Sequence, residues 1–381
     1  MKKKLIRAGK RAVQIAYGLA SELTIPLLYG YAHRFGQLKY LDRADLLTWR
    51  DAMRQMLRAH VRSGYASRLN ELIPAFADTK IEILKKENDF DPAIPIVVLC
   101  VKNDRRRIEM LVEHYRRHGV GQFAFLDNGS TDGTLEWLLQ QPDVDLYRTE
   151  KHYTSFNKEA WINRLVSYYG FDRWYILTDS DELVTYDGIE THPFPDVLRY
   201  ADRAGLSRIK ALTLDMYTDG ALFGDGPADD IRESYCWTDT DSFLAEERPI
   251  GGSVLSVYTG GPRYRAMNVK TSLSKYPLVY FSRGTVSENA HFQYPYGAAE
   301  RAPCHFAILH YKFLEEDKKV YKERSSRASG FARGGGDYKN YMKMVEENSS
   351  ASFMYPGSLR LTESAGLRQI PLIQSIDFEG K

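Results

Sequence analysis

A chain of 381 residues is long enough for one large domain, or for one domain with a substantial extension. Its 43% hydrophobic and 27% charged residues are the make-up of an ordinary soluble globular protein with a sizeable core. The 52 Lys and Arg against 50 Asp and Glu leave a formal charge of +2, which excludes a general attraction to nucleic acid or other polyanions and leaves binding to local charge.

The chain opens with "MKKKLIRAGKRAVQIAYGLASELTIPLLYGYAHRFG", a basic start followed by a moderately apolar segment. Glu22 and Arg34 interrupt it, no clean small-residue cleavage site follows, and no stretch reaches the roughly 18 to 20 apolar residues of a spanning helix. It reads as helical, either packed on the main domain or resting its basic, apolar surface on an anionic membrane. With the helical spacing of "LTWRDAMRQMLRAHVRSGYASRLNELI", residues 1–88 form an expected helical N-terminal extension, closed by the turn-rich "KKENDFDPAIP".

A main domain is expected over residues 89–335 and a tail, packed or partly mobile, over 336–381. "IPIVVLCV" is a continuous apolar run suited to a central parallel strand. In "KNDRRRIEMLVEHYRRHG", Ile108, Leu111, Val112 and Tyr115 recur at helical spacing before Gly119. "VGQFAFLDNGSTDGTLEWLLQQ", "VDLYRTE", "NKEAWINRLVSYYG" and "RWYILTDSDELV" continue the alternation, which predicts an α/β fold with a mainly parallel sheet flanked by helices. Beyond Gly188 the pattern loosens: "RIKALTLDMYT" and "YPLVYFSRG" read as strands, "EEDKKVYKERSSRASG" as a late helix and "ARGGGDYKNY" as a mobile loop.

Ligands of open α/β sheets bind outside the carboxyl ends of the strands. Three polar clusters fall there: Lys102-Asn103-Asp104, "DNGSTDGT" from Asp127 to Thr134, and "DSDE" from Asp179 to Glu182. In the second, Gly and Asn128 permit a tight turn, and Ser130, Thr131 and Asp132 can cap the next helix. In the third, two acids two positions apart can reach one hard cation, Mg2+ or Mn2+, shared with a diphosphate. A capped turn and a solvated acidic loop are the plain alternatives, but the buried approach "WYILT" argues against the latter.

The series "VVLCVKND", "HYRRHGVGQFAFLDNGSTDGT" and "WYILTDSDELV" resembles the GT-A (Rossmann-like) glycosyltransferases, close to glycosyltransferase family 2 and related family 92-like bacterial proteins, over residues 94–190 and more weakly over 300–335. The resemblance implies an inverting, metal-dependent transfer of a sugar from a nucleotide-diphosphate donor, a UDP-sugar by preference, to a hydroxyl of a glycan or lipid-linked acceptor. It implies that Asp104 and Asp127, with Asp132 nearby, face the base and ribose, that Asn157 and Lys158 approach the diphosphate, and that Lys102, Asn128 and Asp179 also belong to the donor site. It gives Asp179, Asp181 and His310 of "AILHYKF" to Mn2+ or Mg2+, with Glu182 orienting the acceptor or the metal's water shell. Inversion needs a general base, for which Asp215 leads, followed by Glu288 and Asp219. The usual acidic pair after the DxD is missing, and His291 either touches the acceptor or is structural. A bacterial polysaccharide or lipid-linked glycan is the acceptor expected by family habit.

Two other readings use the same residues. "YILTDSDELV" with "GDGPADD" fits a haloacid dehalogenase-like phosphatase with Asp179 as nucleophile, although only about 45 residues separate the motifs and two strand-helix units precede the first. A GT-A-like module that only binds glycan would not need the intact DxD. Cys100, Cys236 and Cys304 are odd in number and widely spaced, so neither a disulfide framework nor a zinc site is expected and a cytoplasmic setting fits, with peripheral contact at the inner membrane face through the N-terminal helices as the variant. Aromatics at 13%, with 26 tyrosines, suit a site that stacks on sugar or base, or a Tyr-rich core.

Overall fold

The computed structural model describes residue 75 and residues 79–224, 230–250, 253–326 and 336–379. The expected helices up to residue 74, with their membrane contact, lie outside the described residues, as do residues 225–229 of "GDGPADD" and 332–335 of "ARGGGDYKNY". Among the described residues no helix is long and apolar enough to cross a membrane.

The first half of the chain alternates β1 (Glu82–Lys85), β2 (Ile96–Val101), α1 (Arg105–Arg117), β3 (Phe123–Asp127), α2 (Thr134–Gln140), β4 (Val144–Arg148), α3 (Ser155–Tyr169) and β5 (Arg173–Leu177). Then come β6 (Glu182–Tyr186), α4 (Phe194–Arg203), β7 (Arg208–Asp215), β8 (Trp237–Asp239), β9 (Phe243–Ile250), β10 (Ser253–Gly260) and α5 (Gly261–Met267). The chain ends with β11 (Ser274–Phe281), β12 (Val286–Asn289), β13 (Phe292–Tyr294), β14 (Cys304–His310), α6 (Glu315–Ser326), α7 (Gly336–Glu347) and β15 (Ser358–Arg360).

Among the described residues nine strands form one sheet in the order β1-β4-β3-β2-β5-β11-β7-β14-β6. Strands β4, β3, β2, β5, β7 and β14 point one way, and β1, β11 and β6 run against them, so the sheet is mixed but mainly parallel. Successive residues of a strand face opposite sides, and the chain uses both. Val97, Leu99 and Val101 of β2 and Phe123 and Phe125 of β3 join one core, whereas Ile96, Val98, Ala124 and Leu126 join the other.

The apolar stripe of α1 covers the first face with Ile108, Leu111, Val112 and Tyr115. Gly119 ends that helix at φ +80°, and a Cβ there would stand 3.2 Å from Pro195 Cδ as well as being strained. The second face is covered by α3, buried nearly all round because the β12–β13 hairpin closes over its far side. Asn163 fastens that hairpin by donating to Ser287 C=O (2.7 Å) and accepting from Ser287 N–H (3.0 Å). A third apolar cluster joins α6 and α7 to the segment after β7 through Phe313, Tyr321, Tyr341, Phe223 and Phe353.

Three elements differ from expectation. Residues 82–85, expected as the end of a helical extension, pair antiparallel with β4, Glu82 opposite Arg148. Four residues carry too little periodicity to show a strand; the free edge of β4 supplies the partner. In "RWYILTDSDELV", where the chain was expected to leave the sheet at the acids, a second strand follows: Glu182 N–H returns to Asp179 C=O (3.1 Å), and the acids link β5 to β6. From Gly336 onward the expected loop is helix α7, whose Tyr341, Met342 and Val345 are buried.

Phe306 on β14 is fully buried, stacked on Tyr186 (centroids 5.3 Å apart) and beside Phe194 (6.3 Å). Phe306→Ala should lower the unfolding free energy by about 3–5 kcal/mol in a urea titration, the range for a buried aromatic replaced by a cavity.

Candidate active site

The loops after β2 and β3 leave the same rim of the sheet and lock together. Asn103, at φ +50°, takes Ser130 Oγ on its N–H (2.9 Å) and offers Oδ1 to Thr131 N–H (2.7 Å). Asp132 accepts from Thr134 N–H (3.0 Å) and Arg105 N–H (3.2 Å), so one carboxylate serves the first turns of both α2 and α1. Burial alone would raise its pKa, but the Thr134 hydroxyl and these N–H groups, all donating to it, hold it below its ordinary value.

Several residues expected at the donor are spent on this architecture. Asp127 is fully buried, and its carboxylate accepts Gly129 N–H (2.8 Å) and Ser130 N–H (3.0 Å). Asn128 donates to Thr149 C=O (3.0 Å) and Lys151 C=O (2.9 Å), and Asn157 to His152 C=O (2.8 Å). Lys102 is exposed at the end of β2.

The other expected residues converge around the β5–β6 link. Asp179 is gripped by Lys158 on Oδ1 and by Lys275 on Oδ2 (3.2 Å), and Lys275 also reaches Glu182 Oε1 (2.5 Å). Burial pushes the Asp179 pKa up, yet the two ammonium groups outweigh it and hold the acid well below its ordinary value. Asp104 accepts from Ser180 Oγ and from Arg107 (3.1 Å); burial leaves its pKa raised all the same. Arg107 also donates to Tyr311 C=O (2.8 Å) and pairs with Asp317, so it ties the start of α1 to the start of α6.

At the centre stands His310. In the sheet it lies opposite Asp215 on β7 and Glu182 on β6. Its Nδ1 meets Asp215 Oδ1 (2.7 Å) and its Nε2 meets Asp181 Oδ2 (3.2 Å). Burial disfavours the imidazolium, but Asp181 and Asp215 together raise the His310 pKa. Asp181 itself lies well below the carboxylate range, because His310 and then Lys312 and Arg107 overcome its desolvation.

Asp181, Glu182 and His310 each offer a ligand atom, all within 4.8 Å of one another. Two carboxylates and an imidazole form a hard-to-borderline donor set that fits Mn2+ or Mg2+. Asp215 behind His310 can accept the Nδ1–H, which would leave Nε2, here against Asp181, to ligate a cation. Asp179, expected as a ligand, pairs with the two lysines, and Glu182, expected to orient, offers the third ligand atom of the cluster.

None of the three expected bases presents a free carboxylate at this cluster. Asp215 is fully buried and gives its second oxygen to Arg263 (2.7 Å). Glu288 accepts from Asn289 (3.0 Å) and Tyr296. Asp219 is exposed and interacts with Arg360. Lys275, Lys312, Arg107 and Arg263 were not singled out from sequence. A lysine opening the apolar run "SKYPLVYF" and another two positions past His310 are the signals that could have marked the first two.

No protein-family model matches the chain, and no curated protein does. Among solved structures, glucosyl-3-phosphoglycerate synthase from Mycobacterium tuberculosis, in complex with phosphoglyceric acid, is 16% identical over 34% of this chain and 50% of its own, with a TM-score of 0.23. The chain thus spans about half of that protein's length. TarS 1-349 from S. aureus is 12% identical over 67% of this chain and 72% of its own, with a TM-score of 0.28. Mannosyltransferase PcManGT from Pyrobaculum calidifontis, in complex with GDP-Man and Mn2+, is 14% identical over 44% and 47%, with a TM-score of 0.26. Likenesses this distant carry no argument about activity, and the chemistry has to come from the chain's own side chains.

Proposed function

We propose that the chain is a metal-dependent glycosyltransferase of the GT-A class, moving a sugar from a nucleotide-diphosphate donor to a hydroxyl acceptor with inversion. The observation that carries this is the pairing of a cation site, Asp181, Glu182 and His310, with lysines at its border. Acids alone at a strand end would draw a cation; acids ringed by Lys158, Lys275 and Lys312 suit a cation together with a polyanion. A diphosphate chelated by a divalent ion is such a ligand. When bound, the cation would offset the charge that builds on the departing diphosphate.

The chain's own residues do the rest. Asp215 holds the His310 ring through Nδ1, and Arg263 holds Asp215. Lys158 and Lys275 keep Asp179 ionised and lie where phosphate oxygens could exchange for its carboxylate. Lys312 is half-buried against the rings of Tyr321 (5.5 Å) and Tyr338 (5.9 Å); burial disfavours its charge, but these tyrosines and Asp181 keep it firmly protonated. The phosphatase reading needs Asp179 as a free nucleophile, and both of its oxygens are paired with lysine.

Asp181→Ala should abolish the thermal stabilisation that UDP or GDP confers with Mn2+ while the circular dichroism stays native; a variant that keeps that stabilisation would sink the assignment. Asp215→Asn should weaken Mn2+ binding by about 10–100-fold in a calorimetric titration, the usual cost of losing a carboxylate behind a metal-bound histidine. Proton and cation compete for His310 Nε2, and the raised pKa of that ring favours the proton. Mn2+ affinity should therefore fall as pH drops, starting above the ordinary imidazole value of about 6.5. An affinity flat between pH 8 and pH 5.5 would remove His310 from the ligand set.

A further inference from the structure

We propose that His291 is the general base of the transfer, its Nε2 taking the proton of the acceptor hydroxyl. This rests on the glycosyltransferase reading above and deepens it. The hydroxyl oxygen forms the new bond to the anomeric carbon, and the bond from that carbon to the donor's phosphate oxygen breaks. The electron pair leaves with the nucleoside diphosphate, and the proton passes to His291 and then to solvent.

The first observation is one of elimination: Asp215 and Glu288 have both carboxylate oxygens engaged, and Asp219 is exposed, where Arg360 feels its charge. The second is the way His291 is held. It sits in the turn between β12 and β13, where Asn289 Oδ1 accepts the His291 N–H (2.8 Å) and the Phe292 N–H (3.0 Å). The ring's Nδ1 lies 2.8 Å from Ser274 C=O, a group that can only accept, so Nδ1 carries the proton and Nε2 the lone pair. Among the described residues Nε2 has no hydrogen-bond partner. Backbone geometry thus sets both the ring's direction and its tautomer, as a base requires.

The third observation is position. Asn289 and Ala290, the residues just before it, line a small recess with Lys158, Asp179 and Lys275, the group assigned to the diphosphate. The charges His291 senses are Lys275, Asp179 and Lys158, from β11, the β5–β6 link and α3. Burial and the Lys275 ammonium push the ring's pKa down to about 4, so the lone pair is present at neutral pH but the ring is a weak base that gives its proton up to solvent readily. A histidine that merely braced its turn would use the same bond to Ser274, and the test separates the two roles.

His291→Asn keeps a side-chain N–H for Ser274 C=O and removes the base. The probes are UDP-glucose, UDP-N-acetylglucosamine and GDP-mannose with Mn2+, water standing in the acceptor's place. The readouts are thermal stabilisation by UDP or GDP and the rate of diphosphate release. The expected result is unchanged stabilisation, unchanged KM for the donor and release slowed by about 10²–10⁴-fold, the contribution typical of a general base. Release at the wild-type rate overturns the inference and leaves the glycosyltransferase reading standing. Loss of nucleotide stabilisation along with release makes His291 a brace and also overturns it. Wild-type protein that binds a diphosphate but releases none from any donor counts against the base, whereas wild-type protein stabilised by neither nucleotide overturns the glycosyltransferase reading itself.

Discussion

One imidazole organises the rim of this sheet. His310 is opposite Asp215 on one neighbouring strand and Glu182 on the other, and its two nitrogens reach Asp215 and Asp181. Carboxylates brought this close inside a protein repel one another and lose their hydration, and only a positive charge between them makes the arrangement tolerable. The same rule extends outward: Arg263 answers Asp215, Lys275 bridges Asp179 and Glu182, Lys158 answers Asp179, and Arg107 answers both Asp104 and Asp317.

Stability does not explain such a concentration of charge. Replacing buried ion pairs with apolar residues of similar size is often neutral or favourable, whereas removing one partner costs about 3–5 kcal/mol. A network of this kind gathered at one rim of the sheet suits the ligand proposed above, which carries both signs. It also joins distant parts of the chain. Arg107 on the first helix of the domain pairs with Asp317 on α6, and Tyr341 of α7 packs in the same cluster as Phe313 and Tyr321. The C-terminal helices therefore belong to the site's wall.

The elements read most clearly from sequence are those whose burial is simplest. "IVVLCV" and "FAFLD" are buried on both faces and so carry continuous apolar runs, and α1 is buried on one face and so carries a stripe. The edge strand β1 was missed because four half-exposed residues have no pattern. The polar loops were correctly placed at strand ends, but Asp127, Asp132 and Asn157 satisfy the backbone of their own turns and Asn128 that of the segment after β4. Asp, Asn and their neighbours suit tight turns and ligand contacts equally well, so residue type could not separate the two uses.

By itself the sequence determined the α/β alternation, the location of Asp179, Asp181 and Glu182 where a buried strand ends, and the interest of His310 after an apolar run. Each follows from local periodicity and from the cost of burying charge. Only the tertiary structure decided which acid meets which base. The separation of Glu182, Asp215 and His310 along the chain is erased by the register of three adjacent strands, and register depends on long-range pairing. That pairing set Asp179 between two lysines and Asp215 against the ring of His310.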